Sequence, residues 1–259
     1  MKKFIKERKL NIICSVAAVA FIWVCWIIAY YAVGNDYIIP SFQDTLFSLF
    51  KCFCEGGFWA SFGFTLLRTL LAFLISFLLA AALAAGSALS KVVKSAVKPF
   101  MTALRALPTL AVILIFLIWT SAAVAPVIVT VLLLLPMIYA RINAAIDNVD
   151  GEILEMARLY GVTRKDRLFK IYLPQISPEI FALTGSDISL GLKVMISAEV
   201  LSNTYLSLGG LMQSARSFLE MPRLAALTLV AVLSGLVAEV CFSQLKRINR
   251  KWLKAAEND

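Results

Sequence analysis

The chain has 259 residues, 61% hydrophobic and 16% charged, with a formal net charge of +9 and a mean hydropathy of +0.85. Soluble domains of this size carry about a quarter charged residues, so the composition excludes an ordinary soluble domain and points to a membrane. The absence of histidine excludes His-dependent proteases, most zinc sites and imidazole-ligated haem. The first apolar stretch, 11–32, follows Lys2, Lys3, Lys6, Arg8 and Lys9. It is too long for a signal h-region and no clear small-x-small cleavage site follows, so it reads as a membrane span. Segment 33–61, with Pro40, Gly56 and Gly57, reads as a surface segment with a short amphipathic helix within 43–53. Further spans are predicted over 62–89, 100–119, 123–140, 181–201 and 224–244, each near the roughly 20 apolar residues that a crossing helix needs. That makes an all-α polytopic membrane protein of six transmembrane helices, a single domain over 1–259. Pro108, Pro126 and Pro136 are candidate helix breakers. The five cysteines (Cys14, Cys25, Cys52, Cys54 and Cys241) make no metal-site or disulfide pattern, and no metal is expected.

The positions of the basic residues set the orientation. Of the 25 Lys and Arg, 20 fall in the two tails, in 90–99, at Arg105 and in 141–180; only Lys51, Arg216 and Arg223 lie on the other side. By the positive-inside rule both termini and the 141–180 loop are cytoplasmic, in a multi-pass protein of the cell membrane. The basic charge then faces anionic lipid headgroups rather than nucleic acid.

The loop itself contains "EMARLYGVTRKDRLFKIYLPQISPEI", from Glu155 to Ile180. Asp150 is placed to cap a short helix, with Glu152 and Glu155 in its early turns and Arg158 in its last. Gly161 is the left-handed terminator. Ile153, Ala157 and Tyr160 are read as one apolar face. A second helix starts at Thr163, with Asp166 three residues on. Leu168, Ile171 and Tyr172 form its apolar side, and Pro174 is expected to end it. Ser177, Pro178 and Glu179 are expected to start the helix that becomes the fifth span.

Glu155-Met156-Ala157, Gly161 after three residues, and Ile171-x-Leu173-Pro174 after nine more resemble the EAA loop of ABC importer permeases, with Met156 in place of an Ala. "RALPTLAVILIFLIW" and "AEVLSNTYLSLGGLMQSAR" are similar to permeases of the taurine, sulfonate and nitrate group, which also includes carriers of thiamine-precursor pyrimidines. The resemblance spans about residues 60–245 and leaves out the tail and first span, 1–32. It implies a non-catalytic permease subunit of an ATP-driven importer. Glu155, Ala157, Gly161, Ile171, Leu173 and Pro174 would couple it to a separate ABC ATPase subunit. An extracytoplasmic binding protein would deliver the solute, and two permease copies would form the path as a homodimer. A small anion is the first choice of solute and a thiamine-type precursor the second.

Ionisable residues at membrane depth are costly and are functional candidates by default. Asp187, Lys193 and Glu199 lie in the fifth span, and steps of six residues turn each about 240° from the last. They cannot share one stripe. Two roles stand open for Lys193 and Glu199: bordering the translocation path, or pairing between helices or at a dimer seam. Asp187 lies near the cytoplasmic end, where it caps or faces water, and Arg68 near the outer end of the second span can snorkel. Gly185, Ser186, Ser189 and Gly191 suit close helix approach. No G-x-x-x-x-G-K-[ST] occurs, so the chain has no nucleotide site of its own and no cofactor is expected. An ATP-independent secondary transporter or channel is the alternative of a different class; it calls for ion-coupling repeats, and no repeat is visible. A membrane enzyme is disfavoured, since a pair of intramembrane aspartates is missing.

Overall fold

The computed structural model describes residues 23–256, together with Cys14, Ala17, Ala20 and Phe21. Most of the first half of the predicted span 11–32 therefore lies outside the described residues. Among the described residues every regular element is a helix.

Helix α1 (Trp23–Val33) is short and apolar. It is tied to α2 (Phe42–Cys54) by Trp26, whose Nε1 donates to the Pro40 carbonyl at 3.1 Å, and by edge-on packing of Trp23 and Trp26 against Phe42. The Ser41 hydroxyl caps α2 by accepting from the Asp44 N–H. Helix α3 (Gly56–Leu89) begins at Gly56, so Gly56 and Gly57 belong to the helix and not to the loop. The Glu55 carbonyl already accepts from the Phe58 N–H at 3.1 Å, which draws both glycines into the first turn.

One ridge of α3 decides the packing. Ser61, Thr65, Thr69, Ala72, Ser76, Ala80, Ala84 and Ser87 recur every three or four residues, and all are buried. Small side chains at that spacing let neighbouring backbones come close. The hydroxyls of Thr65, Thr69, Ser76 and Ser87 are hydrogen-bonded within the bundle. Ser76 Oγ donates to the Ala72 carbonyl at 2.7 Å, and Ser87 Oγ lies 2.9 Å from the Tyr139 hydroxyl.

The predicted third span, 100–119, is not one helix. It divides into α4 (Lys91–Ala106) and α5 (Thr109–Trp119), which meet at 93°. Pro108 is the cause. The residue before a proline is driven out of the helical region, and Leu107 is extended at φ −68°, ψ 127°. Helix α6 (Ala125–Asp147) tolerates Pro126 in its first turn and runs on through Pro136. After α7 (Gly151–Leu159) and the single turn α8 (Arg164–Asp166), Arg167–Tyr172 form a π turn that continues into α9 (Leu173–Ser202). Pro174 therefore ends no helix, and Pro178 starts none. The wide π turn closes just before Pro174, which sits in the first turn of α9 where its missing N–H has least cost. The segments Arg164–Phe181 and Leu183–Ser202 bend by 54°. Thr184 Oγ1 bonds back to the Ile180 carbonyl at 3.1 Å across this bend, a known source of helix bending. Helices α10 (Leu208–Ser217) and α11 (Met221–Ala256) complete the chain.

The core lies between α3, α6 and α9, with α11 laid along α9. At the α7 end, Leu134, Ile138, Ile142, Tyr172 and Ile176 pack on Ala80 and Ala84 of the α3 ridge. At the other end Phe58, Leu192, Ile196, Leu208 and Leu227 form a second cluster. Among the described residues, α3, α6 and Met221–Cys241 of α11 are long and apolar enough to cross a membrane, and the two bent pairs bring the number to at most five.

Gly191 of α9 marks a close approach of α9 to α3 and α6. A Cβ there would sit 3.0 Å from Leu134 Cδ1 and 3.7 Å from Thr69 Cγ2. Gly191→Leu should overpack the seam and cost about 1–3 kcal/mol, read as a lower thermal midpoint of the purified chain.

Candidate functional site

The segment after α6 is built as a rigid projecting corner. Asp150 Oδ1 accepts the Glu152 N–H at 2.9 Å and caps α7. At the other end the Val162 N–H reaches the Ala157 carbonyl at 2.9 Å and the Gly161 N–H the Arg158 carbonyl at 3.1 Å. This pair of bonds is a Schellman motif, and Gly161 supplies its left-handed residue at φ +67°. Thr163 then caps α8, accepting from the Asp166 N–H at 3.1 Å while its hydroxyl donates to the Asp166 carboxylate at 2.7 Å. Lys170 Nζ lies 2.8 Å from Asp166. The hydrogen bond from Lys170, helped by that from Thr163, holds the Asp166 carboxyl below its ordinary range.

The inward face of α7 differs from the one expected. Ala157 is buried and Leu154 packs on the core, but Ile153 and Tyr160 do not join them. Met156, Leu159 and Tyr160 instead point outward, the last two more than 80% exposed. Leu154, which packs against the core, takes the inward place that Ile153 and Tyr160 were expected to share with Ala157. Of the other predicted coupling residues, Glu155, Gly161, Leu173 and Pro174 are exposed and Ile171 is half-buried beside buried Tyr172. All six predicted positions fall within this corner and its return to the bundle. Phe169, 55% exposed, joins the outward apolar surface without having been singled out by sequence.

The charges at membrane depth are sorted, not clustered. The Glu199 side chain has no exposed surface. Its Oε2 accepts from Thr65 Oγ1 at 2.8 Å and from the Gly209 N–H at 3.3 Å, and its Oε1 from Arg68 at 3.1 Å. Thr65 Oγ1 in turn accepts the Leu208 N–H at 2.8 Å, and Arg68 also donates to the Leu206 carbonyl at 3.2 Å. This network clamps the 203–210 turn onto α3 and α9. Gly209 is obligatory there, because a Cβ would lie 2.7 Å from the Ile196 carbonyl. Arg68 thus pairs with Glu199 instead of snorkelling. Asp187 is likewise buried, and it pairs with Arg141 of α6 instead of capping or facing water. Lys193 is exposed, and its ammonium has no hydrogen-bond or ion-pair partner among the described residues. The three predicted path residues therefore do not converge. Thr65, Arg141 and Gly209 escaped sequence reading; the useful signal was that Arg68 is the lone cation in the second span and needs a carboxylate from another helix. Glu239 on α11, within the sixth predicted span, was also passed over and is exposed.

Residues 76–254, more than half of the chain, match the family of binding-protein-dependent transport system inner membrane components. The chain belongs to this family. An aliphatic sulfonates transport permease protein, SsuC, of Escherichia coli (strain K12) is 31% identical over 153 residues, covering 58% of this chain and 57% of that one. The glycine betaine/proline betaine permease ProW of Salmonella typhimurium is 24% identical over 160 residues, covering 60% and 45%. The riboflavin permease RibX of Chloroflexus aurantiacus is 24% identical over 161 residues, covering 62% and 60%. The chain spans about half the length of these relatives. The crystal structure of an amino acid ABC transporter with histidines superposes with a TM-score of 0.61 at 21% identity, over 75% of this chain and 93% of that one, a likeness of fold.

Two outcomes test the local physics. Glu199→Leu leaves the Arg68 guanidinium and the Gly209 N–H without their acceptor, and should cost about 3 kcal/mol in thermal unfolding. Glu199→Gln, which keeps an acceptor oxygen, should cost less. Because the folded Asp166 carboxyl is held low, its contribution is present above the ordinary carboxylate range and is lost as pH falls. Amide protection over 163–172 should therefore persist at neutral pH and decline below about pH 4.

Proposed function

We propose that the chain is the permease subunit of an ATP-driven, binding-protein-dependent ABC importer, and that the α7 corner is where a separate ATPase subunit grips it. The observation that carries this reading is the outward apolar surface of α7. Met156, Leu159 and Tyr160 project from a capped, glycine-stopped helix, flanked by exposed Glu155 and Arg158. A short helix with an apolar face and charged flanks fits a groove on a partner. The family match and the EAA-like spacing support the same assignment.

In this reading the chain is one membrane domain over 1–259, of six spans if α1 and the two bent pairs each count as one. Both termini and the α7 corner lie in the cytoplasm, as the basic residues favour. Two permease copies enclose the path, and an extracytoplasmic binding protein feeds the opposite end. The chain itself is non-catalytic; ATP is bound and hydrolysed by the partner. Closure of the ATPase pair draws the two α7 corners together, and the bundle tilts between outward-open and inward-open states. The drive must come from contacts that differ between those states. The corner suits such a lever because its caps at both ends and the buried Ala157 and Tyr172 leave little slack. The proposed solute is a small anion of the sulfonate, taurine or nitrate kind, supported by the identity to the sulfonate permease. Relatives named for betaine and riboflavin mark how far substrate chemistry varies on this frame.

The test is co-purification of the ATPase with variants of the corner. Gly161→Leu places a branched side chain at φ +67°, a cost of about 1–2 kcal/mol at one surface turn. Glu155→Lys reverses a charge beside the apolar tip. Both variants should insert and fold, yet retain at least about tenfold less ATPase than the parent. Full ATPase recovery and normal uptake in both would rule the assignment out.

A further inference from the structure

Asp187 and Glu199, the two acids of α9 at membrane depth, are turned into the bundle, and each is matched by an arginine: Asp187 by Arg141, Glu199 by Arg68. Lys193, between them in sequence, is not matched and is not buried. Helical spacing puts Ser186, Leu190, Lys193 and Ser197 within about 60° of one another on a single face of α9. That face holds hydroxyls, an ammonium and one leucine, a poor surface for acyl chains. The Lys193 stem passes Gly235 of α11, where an added Cβ would come 4.0 Å from Cε. Glu239, exposed one turn farther along α11, forms no ion pair with it.

Leu190 leads to a second cation. It lines a cavity of about 290 Å³ at the break between α4 and α5, together with Arg105, Thr109, Leu133 and Met137. Arg105 Nη2 donates to the Pro136 carbonyl at 2.8 Å, which fixes the guanidinium at the rim. A guanidinium has five N–H donors, so most remain for another acceptor. No carboxylate lines this cavity. The wall is otherwise apolar apart from the Thr109 hydroxyl.

Resting on the importer reading, we propose that Arg105 and Lys193 form an anion-selecting stretch along the exposed face of α9. Its ligand is a small organic monoanion with a short apolar body, such as an alkylsulfonate or alkylcarboxylate. The headgroup meets the guanidinium or the ammonium, and the body lies on Leu133, Met137 and Leu190. Same-sign groups in a low-dielectric cleft attract the opposite charge and repel like charge. Pairing Asp187 and Glu199 with their own arginines offsets the repulsion that these two carboxylates would oppose to an anion. This sorting makes the stretch cationic although α9 itself carries two acids and one base at this depth.

The test uses the full chain with its ATPase in lipid nanodiscs, titrated with 1-butanesulfonate and with butyltrimethylammonium as a cation of similar size. The parent should bind the sulfonate at least about tenfold more tightly than the cation. Lys193→Gln and Arg105→Gln should each weaken sulfonate binding by at least about fivefold, with Lys193→Arg close to the parent and all thermal midpoints unchanged. Equal binding of the two probes would overturn the proposal, as would unchanged sulfonate binding in both glutamine variants. Sulfonate binding abolished by exchanging zwitterionic for anionic phospholipid in the nanodisc would overturn it too, because the cavity would then be a lipid site. ATPase retention through α7 involves neither side chain. Normal retention without charge selectivity would therefore sink the anion stretch and leave the importer reading standing.

Discussion

A carboxylate with no exposed surface must have every lone pair answered, and in this bundle Glu199 organises its surroundings on that condition. Thr65, Arg68 and the Gly209 amide supply the answers from α3 and from the first turn of α10. The helix ends and the turn are thereby fixed to one another at a point where hydrophobic contact alone is nonspecific. Water is scarce at membrane depth, and a missed partner costs several kcal/mol. The same condition explains residues that look unrelated in the chain. Gly209 keeps the backbone close enough to donate, and Thr65 relays by accepting from Leu208 while donating to Glu199.

The α3 ridge is the second constraint. Its serines, threonines and alanines let α6 and α9 approach until the hydroxyls and glycines interlock. Leu134 of α6 fills the space that Gly191 leaves open, so the seam has no slack for a larger side chain. A bundle built on such contacts moves as rigid pieces, with bending confined to marked places. Two are visible: the 93° break at Leu107-Pro108 and the 54° bend past Pro178. On the proposed reading, motion at α7 passes through the π turn directly into α9, the helix that carries Glu199 at its far end. A pull at one end is thus linked by one continuous helix to the clamp at the other.

Much was legible in the sequence because it rests on local rules. Hydropathy located α3, α6 and α11, where a run of apolar side chains leaves no alternative to a helix. Asp150, Thr163 and Gly161 announced the corner, since capping and left-handed backbone depend on the residue itself and its near neighbours. The break at Pro108 was only half legible: Pro108, Pro126 and Pro136 all stood as candidate breakers, yet 100–119 was expected as one span and only Pro108 divides a helix. Pro174 and Pro178 misled for the converse reason: a π turn and a first-turn position absorbed constraints that usually end a helix.

The pairings were not legible. Sequence spacing established that Asp187, Lys193 and Glu199 face three ways, but not which of them meets an arginine. That depends on α3 bringing Arg68 to Glu199 across 131 residues, and on α6 bringing Arg141 to Asp187 across 46. Likewise the spacing in α7 pointed to Ile153, Ala157 and Tyr160 as the inward face, and the packing of Leu154 on the core replaced it with one of Leu154 and Ala157. The chain alone determined that it is helical, membrane-embedded and capped where it turns, because propensity and solvation act residue by residue. Only the tertiary structure decided which of these charges are paired and which stand exposed, because electrostatic pairing acts between helices that the sequence keeps far apart.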